Sequence, residues 1–91
     1  MEMKLREVEK TEKLNNKGIM IGSILTVHVV EARDLKTISS YESLAPYVEL
    51  EIEGQRIETS VKQNTVSPVW NESFTFDIEL GTEPLKISVL S

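Results

Sequence analysis

After Gly22 the apolar residues of this chain recur at every second position in five separate runs, a period that builds strands and not helices. Leu25, Val27 and Val29 share one face of the first run. Val48, Leu50 and Ile52 share one face of the second, opposite Glu49, Glu51 and Glu53, so burial is one-sided. Ile57, Thr59 and Val61 form the third run. Trp70, Phe74, Phe76 and Ile78 form the fourth, and Leu85, Ile87 and Val89 the fifth. Glu53-Gly54-Gln55-Arg56 puts Gly first in a two-residue connection, which predicts a tight hairpin between the second and third runs. Two antiparallel sheets packed face to face satisfy this pattern, so the expected class is an all-β sandwich. The polar loop from Lys36 to Leu44 is longer than a hairpin needs and is a candidate functional loop.

The first 21 residues differ in kind. Met1, Leu5 and Val8 are spaced for one helical stripe, Glu2/Arg6 and Glu9/Lys13 make favourable i,i+4 pairs, and Asn15-Asn16-Lys17-Gly18 reads as a helix stop. A helix of about 12 residues with so narrow a stripe is marginal alone, leaving a short helix and a disordered linker as alternatives. Met3 and Leu5 alternate but Val8 breaks the register, so no strand is expected there. The division is therefore a charged N-terminal segment or linker, residues 1–21, and a sandwich, residues 22–91.

Composition removes several classes. With no cysteine and one histidine, a disulfide scaffold, a structural zinc site and a thiol nucleophile are all excluded. Fifteen acidic against ten basic residues give a net charge of −5, which repels a polyphosphate backbone and argues against nucleic acid as a partner. Residues 1–18 carry four Glu and five Lys or Arg, so the negative charge lies beyond them. No apolar run approaches the roughly 20 residues of a membrane-spanning helix, and the first residues lack the apolar core of a secretion signal. A cytoplasmic chain, peripheral to a membrane if it docks on one, is the expectation.

Leu25-Thr26-Val27-His28-Val29-Val30-Glu31-Ala32-Arg33-Asp34-Leu35 resembles the opening strand of a C2 domain, the module named after the second conserved region of protein kinase C. Ala45-Pro46-Tyr47-Val48-Glu49-Leu50 follows, where the family has Asp-Pro-Tyr-Val. Ser67-Pro68-Val69-Trp70-Asn71-Glu72-Ser73-Phe74-Thr75-Phe76 then stands where it has Asn-Pro-x-Trp-Asn-Glu-x-Phe-x-Phe, and Leu85-Lys86-Ile87-Ser88-Val89 continues the series. The resemblance covers residues 22 to 91 and implies an eight-stranded antiparallel sandwich.

Two departures bear on function. In calcium-dependent members, loop aspartates at one end of the sandwich bind Ca²⁺, which bridges to anionic phospholipid. Alignment places Ser39, Ala45 and Ser91 at three of those positions. Calcium takes about 6 to 8 oxygen ligands, several of them carboxylates, and a hydroxyl or a methyl group cannot offset its dehydration. Glu42 alone cannot replace the set, so no calcium, other metal or cofactor is expected. The second departure is length: about five of the eight family strands are present. The expectation is a fragment, or a domain completed by a strand from a partner or a second copy, with self-association through an open strand edge as a consequence.

Two docking surfaces are candidates. Ile38, Tyr41 and Leu44, joined by Val66 and Val69 at the same end, could enter a phospholipid membrane surface without calcium. Leu44, beside Ala45-Pro46, has the competing role of packing its loop onto the sandwich. Glu49, Glu51 and Glu58 lie on an outward face holding more acid than base, which repels anionic lipid and suits a basic protein partner. Trp70, at the parity of Phe74 and Phe76, reads as a core anchor. Asn71 reads as local geometry and His28 as a surface residue. No phosphate loop, nucleophile elbow or histidine–carboxylate pairing is present, so no catalytic residues are expected. The reading is a non-catalytic, calcium-independent targeting module docking to a membrane or a protein. The alternatives are a protein-interaction or strand-exchange module with no lipid binding, and an inactive fragment of a larger C2-containing protein.

Overall fold

Each period-two run becomes a strand, because a strand with one apolar side gains stability only by laying that side on a second sheet. The computed structural model describes residues 2–35, 44–79 and 84–91. Its strands are β1 (Glu2–Leu14), β2 (Met20–Arg33), β3 (Tyr47–Ile52), β4 (Gln55–Glu58), β5 (Val69–Ile78) and β6 (Lys86–Leu90). They form two three-stranded sheets, β1-β2-β5 and β4-β3-β6, with every neighbouring pair antiparallel. Val27 and Val29 from one sheet and Val48 and Leu50 from the other are fully buried between them, with Trp70, Phe76 and Ile78 closing the core. The all-β antiparallel sandwich is the fold that the alternation implies. Among the described residues no helix is long and apolar enough to cross a membrane.

The N-terminal segment is a strand, which corrects the helical or disordered reading. β1 runs antiparallel along the whole of β2, from Glu2 opposite Arg33 to Leu14 opposite Met20. Met3 and Leu5 pack against the core. Register shifts fall between Lys4 and Leu5 and between Arg6 and Glu9; the first skips Val30 of β2 and keeps the alternation of β1, whereas the second sets Glu7 and Val8 against Val27 alone and resets it. Val8 lies inside the second shift, which is why it breaks the pattern that Met3 and Leu5 begin.

The β3–β4 hairpin forms, one residue earlier than expected. Ile52 pairs with Gln55, so the connection is Glu53-Gly54, and both residues have positive φ, 47° and 76°. That is the signature of a type I′ turn, whose twist matches the strands, with Gly in the second position and not the first. The third run is also shorter than expected: β4 ends at Glu58, and Ile57 and Val61 are exposed while Thr59 is buried.

Thr59 carries the pairing onward with its side chain. The Val48 N–H donates to Thr59 Oγ1 at 2.8 Å, the Thr59 N–H donates to the Val48 carbonyl at 2.9 Å, and the hydroxyl donates to the Ser60 carbonyl at 3.1 Å. Thr59→Val keeps the shape of the side chain and removes the oxygen that accepts from the buried Val48 N–H. The expected loss is about 1–3 kcal/mol in denaturant unfolding, with Thr59→Ser retaining most of the stability.

β5 holds this segment from the other sheet. Trp70 Nε1 donates to the Ser60 carbonyl at 2.9 Å, and the Glu72 carboxylate accepts from the Ser60 N–H at 3.2 Å and the Ser60 hydroxyl at 2.7 Å. Trp70 and Asn71 together oppose Val30, a bulge in which Asn71 takes φ 51°. Asparagine tolerates that conformation better than most residues. The Trp-Asn-Glu run is therefore an anchor, a bulge and a clamp in succession.

Candidate functional site

One end of the sandwich is built where β2, β3, β5 and β6 meet their loops. Residues 62–68 lie across this end, fixed to both sheets by backbone hydrogen bonds. The Ala32 N–H donates to the Pro68 carbonyl at 3.0 Å and the Leu35 N–H to the Val66 carbonyl at 2.9 Å, on the β2 side. On the β3 side, the Lys62 N–H donates to the Pro46 carbonyl at 3.0 Å and the Asn64 N–H to the Leu44 carbonyl at 2.6 Å. Asp34 and Asn64 reverse the chain with φ of 56° and 53°. Pro46 and Pro68 are fully buried beneath them. The loop is a fixed bridge and not a free flap.

Two of the three positions aligned with family aspartates come together here. β6 pairs with β3 so that Leu90 stands opposite Tyr47, and the Ala45 N–H donates to Ser91 Oγ at 3.0 Å. The contact between them is one of a backbone amide with a neutral hydroxyl. Ser39, the third position, lies outside the described residues. Among the described residues no three His, Asp or Glu side chains are grouped so as to hold a metal ion.

The apolar candidates at this end divide. Val66 and Val69 are 47% and 50% exposed, whereas Leu44 is half-buried. Ile38 and Tyr41 lie outside the described residues.

The acidic face is less acidic than the sequence alone indicates. Arg56 lies between its neighbours, with Nε 3.0 Å from Glu49 Oε1 and a terminal nitrogen 3.3 Å from Glu51 Oε2. Glu58 stands opposite Glu49, while β6 places Lys86 opposite Glu51 and Ser88 opposite Glu49. Glu49, Glu51 and Glu58 therefore have Arg56 and Lys86 as neighbours on this face. Lys86 is not assignable to this surface from the sequence, because only the β3–β6 register brings it there.

His28 faces outward beside β5, with Nδ1 2.5 Å from Ser73 Oγ, and among the described residues it belongs to no group of three or more metal-ligating side chains. Trp70 is 5% exposed and its indole N–H is satisfied, so it is a core anchor.

The comparisons with known proteins agree with this architecture. The C2 domain family matches residues 23–91. The chain is 35% identical over 69 residues to the multiple C2 domain and transmembrane region protein 10 of Arabidopsis thaliana, covering 71% of this chain and 7% of that protein. It is 34% identical over 82 residues to synaptotagmin-1 of Pongo abelii, covering 79% of this chain and 20% of that protein. Synaptotagmin-9 of Homo sapiens is 37% identical over 59 residues, covering 59% of this chain and 12% of that protein. The chain thus spans a fifth or less of these curated relatives. With the two antiparallel sheets, the bulged Trp-Asn-Glu strand and a match across most of its length, the chain belongs to the C2 domain family.

Proposed function

We propose that this chain is a non-catalytic C2 docking module that engages a membrane surface at the Ala45/Ser91 end without calcium. The observation that carries this reading is the Ala45 N–H to Ser91 Oγ bond, which joins two aligned ligand positions through neutral groups. An amide hydrogen aimed into the site opposes a divalent cation, and neither side chain supplies the negative charge needed to strip its water. Val66, exposed on the braced loop, and Val69, exposed at the start of β5, supply apolar contacts at this end that need no metal. The face around Glu49, Glu51 and Glu58 is the less favoured surface, because Arg56 already occupies two of its carboxylates.

Isothermal calorimetry and vesicle flotation test this reading. Titration with Ca²⁺ should give no saturable micromolar heat, and flotation with anionic vesicles should be equal in EGTA and in Ca²⁺. Val66→Asp with Val69→Asp should reduce flotation in both. Saturable micromolar calcium uptake, or flotation that appears only with Ca²⁺, would overturn it.

A further inference from the structure

The largest concentration of exposed apolar side chains among the described residues lies at the other end of the molecule. Leu14, Ile19, Met20 and Ile21 are 57, 58, 59 and 57% exposed, and all belong to the β1–β2 hairpin around its turn. The last β2–β5 pair is Ser23 with Ile78, so residues before Gly22 extend past the third strand of the sheet as a two-stranded ribbon. β2 separates this tip from the Ala45/Ser91 end by its whole length, roughly 45 Å for 14 residues. The molecule is correspondingly long, 59 × 20 × 18 Å, with a radius of gyration of 16.0 Å. A compact chain of this length would have about 12 Å.

Three properties of the tip indicate what it meets. First, Ile19, Met20 and Ile21 are consecutive, so the ribbon here lacks the alternation that gives one apolar and one polar face. Apolar groups open on both sides of the ribbon suit a medium that surrounds them better than a groove that grips one side. Second, the turn pairs much of its own backbone. The Asn15 N–H donates to the Ile19 carbonyl at 2.9 Å and the Gly18 N–H to the Asn15 carbonyl at 3.0 Å. The Lys17 and Ile19 N–H groups donate to Asn15 Oδ1 at 2.9 and 3.0 Å. Unpaired backbone groups are what usually bar a loop from an apolar phase, and here four N–H groups are already paired. Third, Lys17 is the one charged residue in 14–21 on a chain of net charge −5. The first acids behind the tip are Glu12 on β1 and, at the end of the body, Glu79, Glu53 and Asp77, of which Asp77 is held by Lys13 at 2.5 Å.

We infer that the β1–β2 tip is a second lipid-contacting site, docking obliquely on a bilayer interface. Leu14, Ile19, Met20 and Ile21 enter the headgroup–acyl boundary, and Lys17 reaches anionic headgroups by its flexible stem. The acidic body trails along the long axis, most of it more than a Debye length, about 8–10 Å, from the lipid surface. This site does not depend on calcium or on the proposed loop contact at the far end.

The chain contains no cysteine, so one engineered thiol gives a single labelling position. An environment-sensitive nitrobenzoxadiazole label is placed on Ile19→Cys and, separately, on Val66→Cys, each mixed in EGTA with vesicles of equimolar phosphatidylcholine and phosphatidylserine. A blue shift at position 19 is expected, whatever position 66 reports, so the two ends are read independently. Ile19→Asn with Ile21→Asn, folded by circular dichroism, should lower vesicle partitioning at least about tenfold. Lys17→Gln should lower it about fivefold on anionic vesicles and leave pure phosphatidylcholine binding unchanged. No vesicle-induced shift at position 19 overturns the inference. So does a shift that needs no vesicles and grows with protein concentration, which would identify a second copy as the occupant.

Discussion

Trp70→Ala should lower the unfolding free energy by about 3–5 kcal/mol. That is a large share of the roughly 5–15 kcal/mol that a domain possesses. The indole is among the largest groups in the core that holds Val48 and Leu50, and its removal opens a cavity that backbone-paired strands cannot collapse to fill. It also removes the donor to the Ser60 carbonyl, so the segment after β4 keeps only the Glu72 clamp as its tie to the other sheet at that residue. Far-UV circular dichroism in urea measures the effect without depending on the lost fluorophore. Trp70→Phe, which keeps most of the apolar volume and loses the N–H, should retain more than half of that difference. A loss below about 1 kcal/mol for Trp70→Ala would mean that the side chain is not an anchor of the core.

The same residue shows why much of the fold is legible in the sequence. Trp70 shares its parity with Phe74, Phe76 and Ile78, and one-sided burial turns that parity directly into a buried face. β2, β3 and β6 are readable for the same reason. β1 is not, because it is an edge strand that contributes only Met3 and Leu5 to the described core, and the register shift between Arg6 and Glu9 resets a period already carried by few apolar residues. Glutamate and a base four apart then mimic helix pairing in a segment that is extended. The hairpin turn sits one residue away from the position that glycine suggests because Glu53 takes positive φ, which a residue with a Cβ seldom does.

The candidate site divides along the same line. Motif spacing is what sets Ala45 and Ser91 against family loop positions in the sequence. Their hydrogen bond adds that the two meet. The weakening of the acidic face depends on Lys86 and on the reach of Arg56, which are matters of inter-strand register. The exposed tip escapes a reading that assigns residues 1–21 to a linker, because Ile19, Met20 and Ile21 then carry no structural demand. A usable signal is nevertheless present: three consecutive aliphatics directly after Gly18 do not alternate and cannot all be buried by a two-stranded ribbon.

Gly22→Ala is expected to destabilise the chain by about 2–4 kcal/mol, far out of proportion to one added methyl group. Gly22 has φ 153° and is buried where β2 parts from β5 and continues toward the tip with β1 alone. A Cβ built there would lie 2.7 Å from the carbonyl oxygen of Ile78, and Lys13 Cε would be 3.6 Å away. The lysine stem can move, but the carbonyl belongs to the last β5 residue paired with β2, so relief requires shifting one strand against another. Gly54→Ala is the control, because that glycine also has positive φ, 76°, yet has nothing within 4 Å of the added carbon. It carries the conformational penalty without the collision, about 1–2 kcal/mol. Urea midpoints measured on both variants separate the two contributions. If Gly22→Ala is no more damaging than Gly54→Ala, the close approach of β2 to the end of β5 is not a constraint on the fold. If it is more damaging by the expected margin, the residue is a glycine because the strands meet there, and the tip owes its direction to that contact.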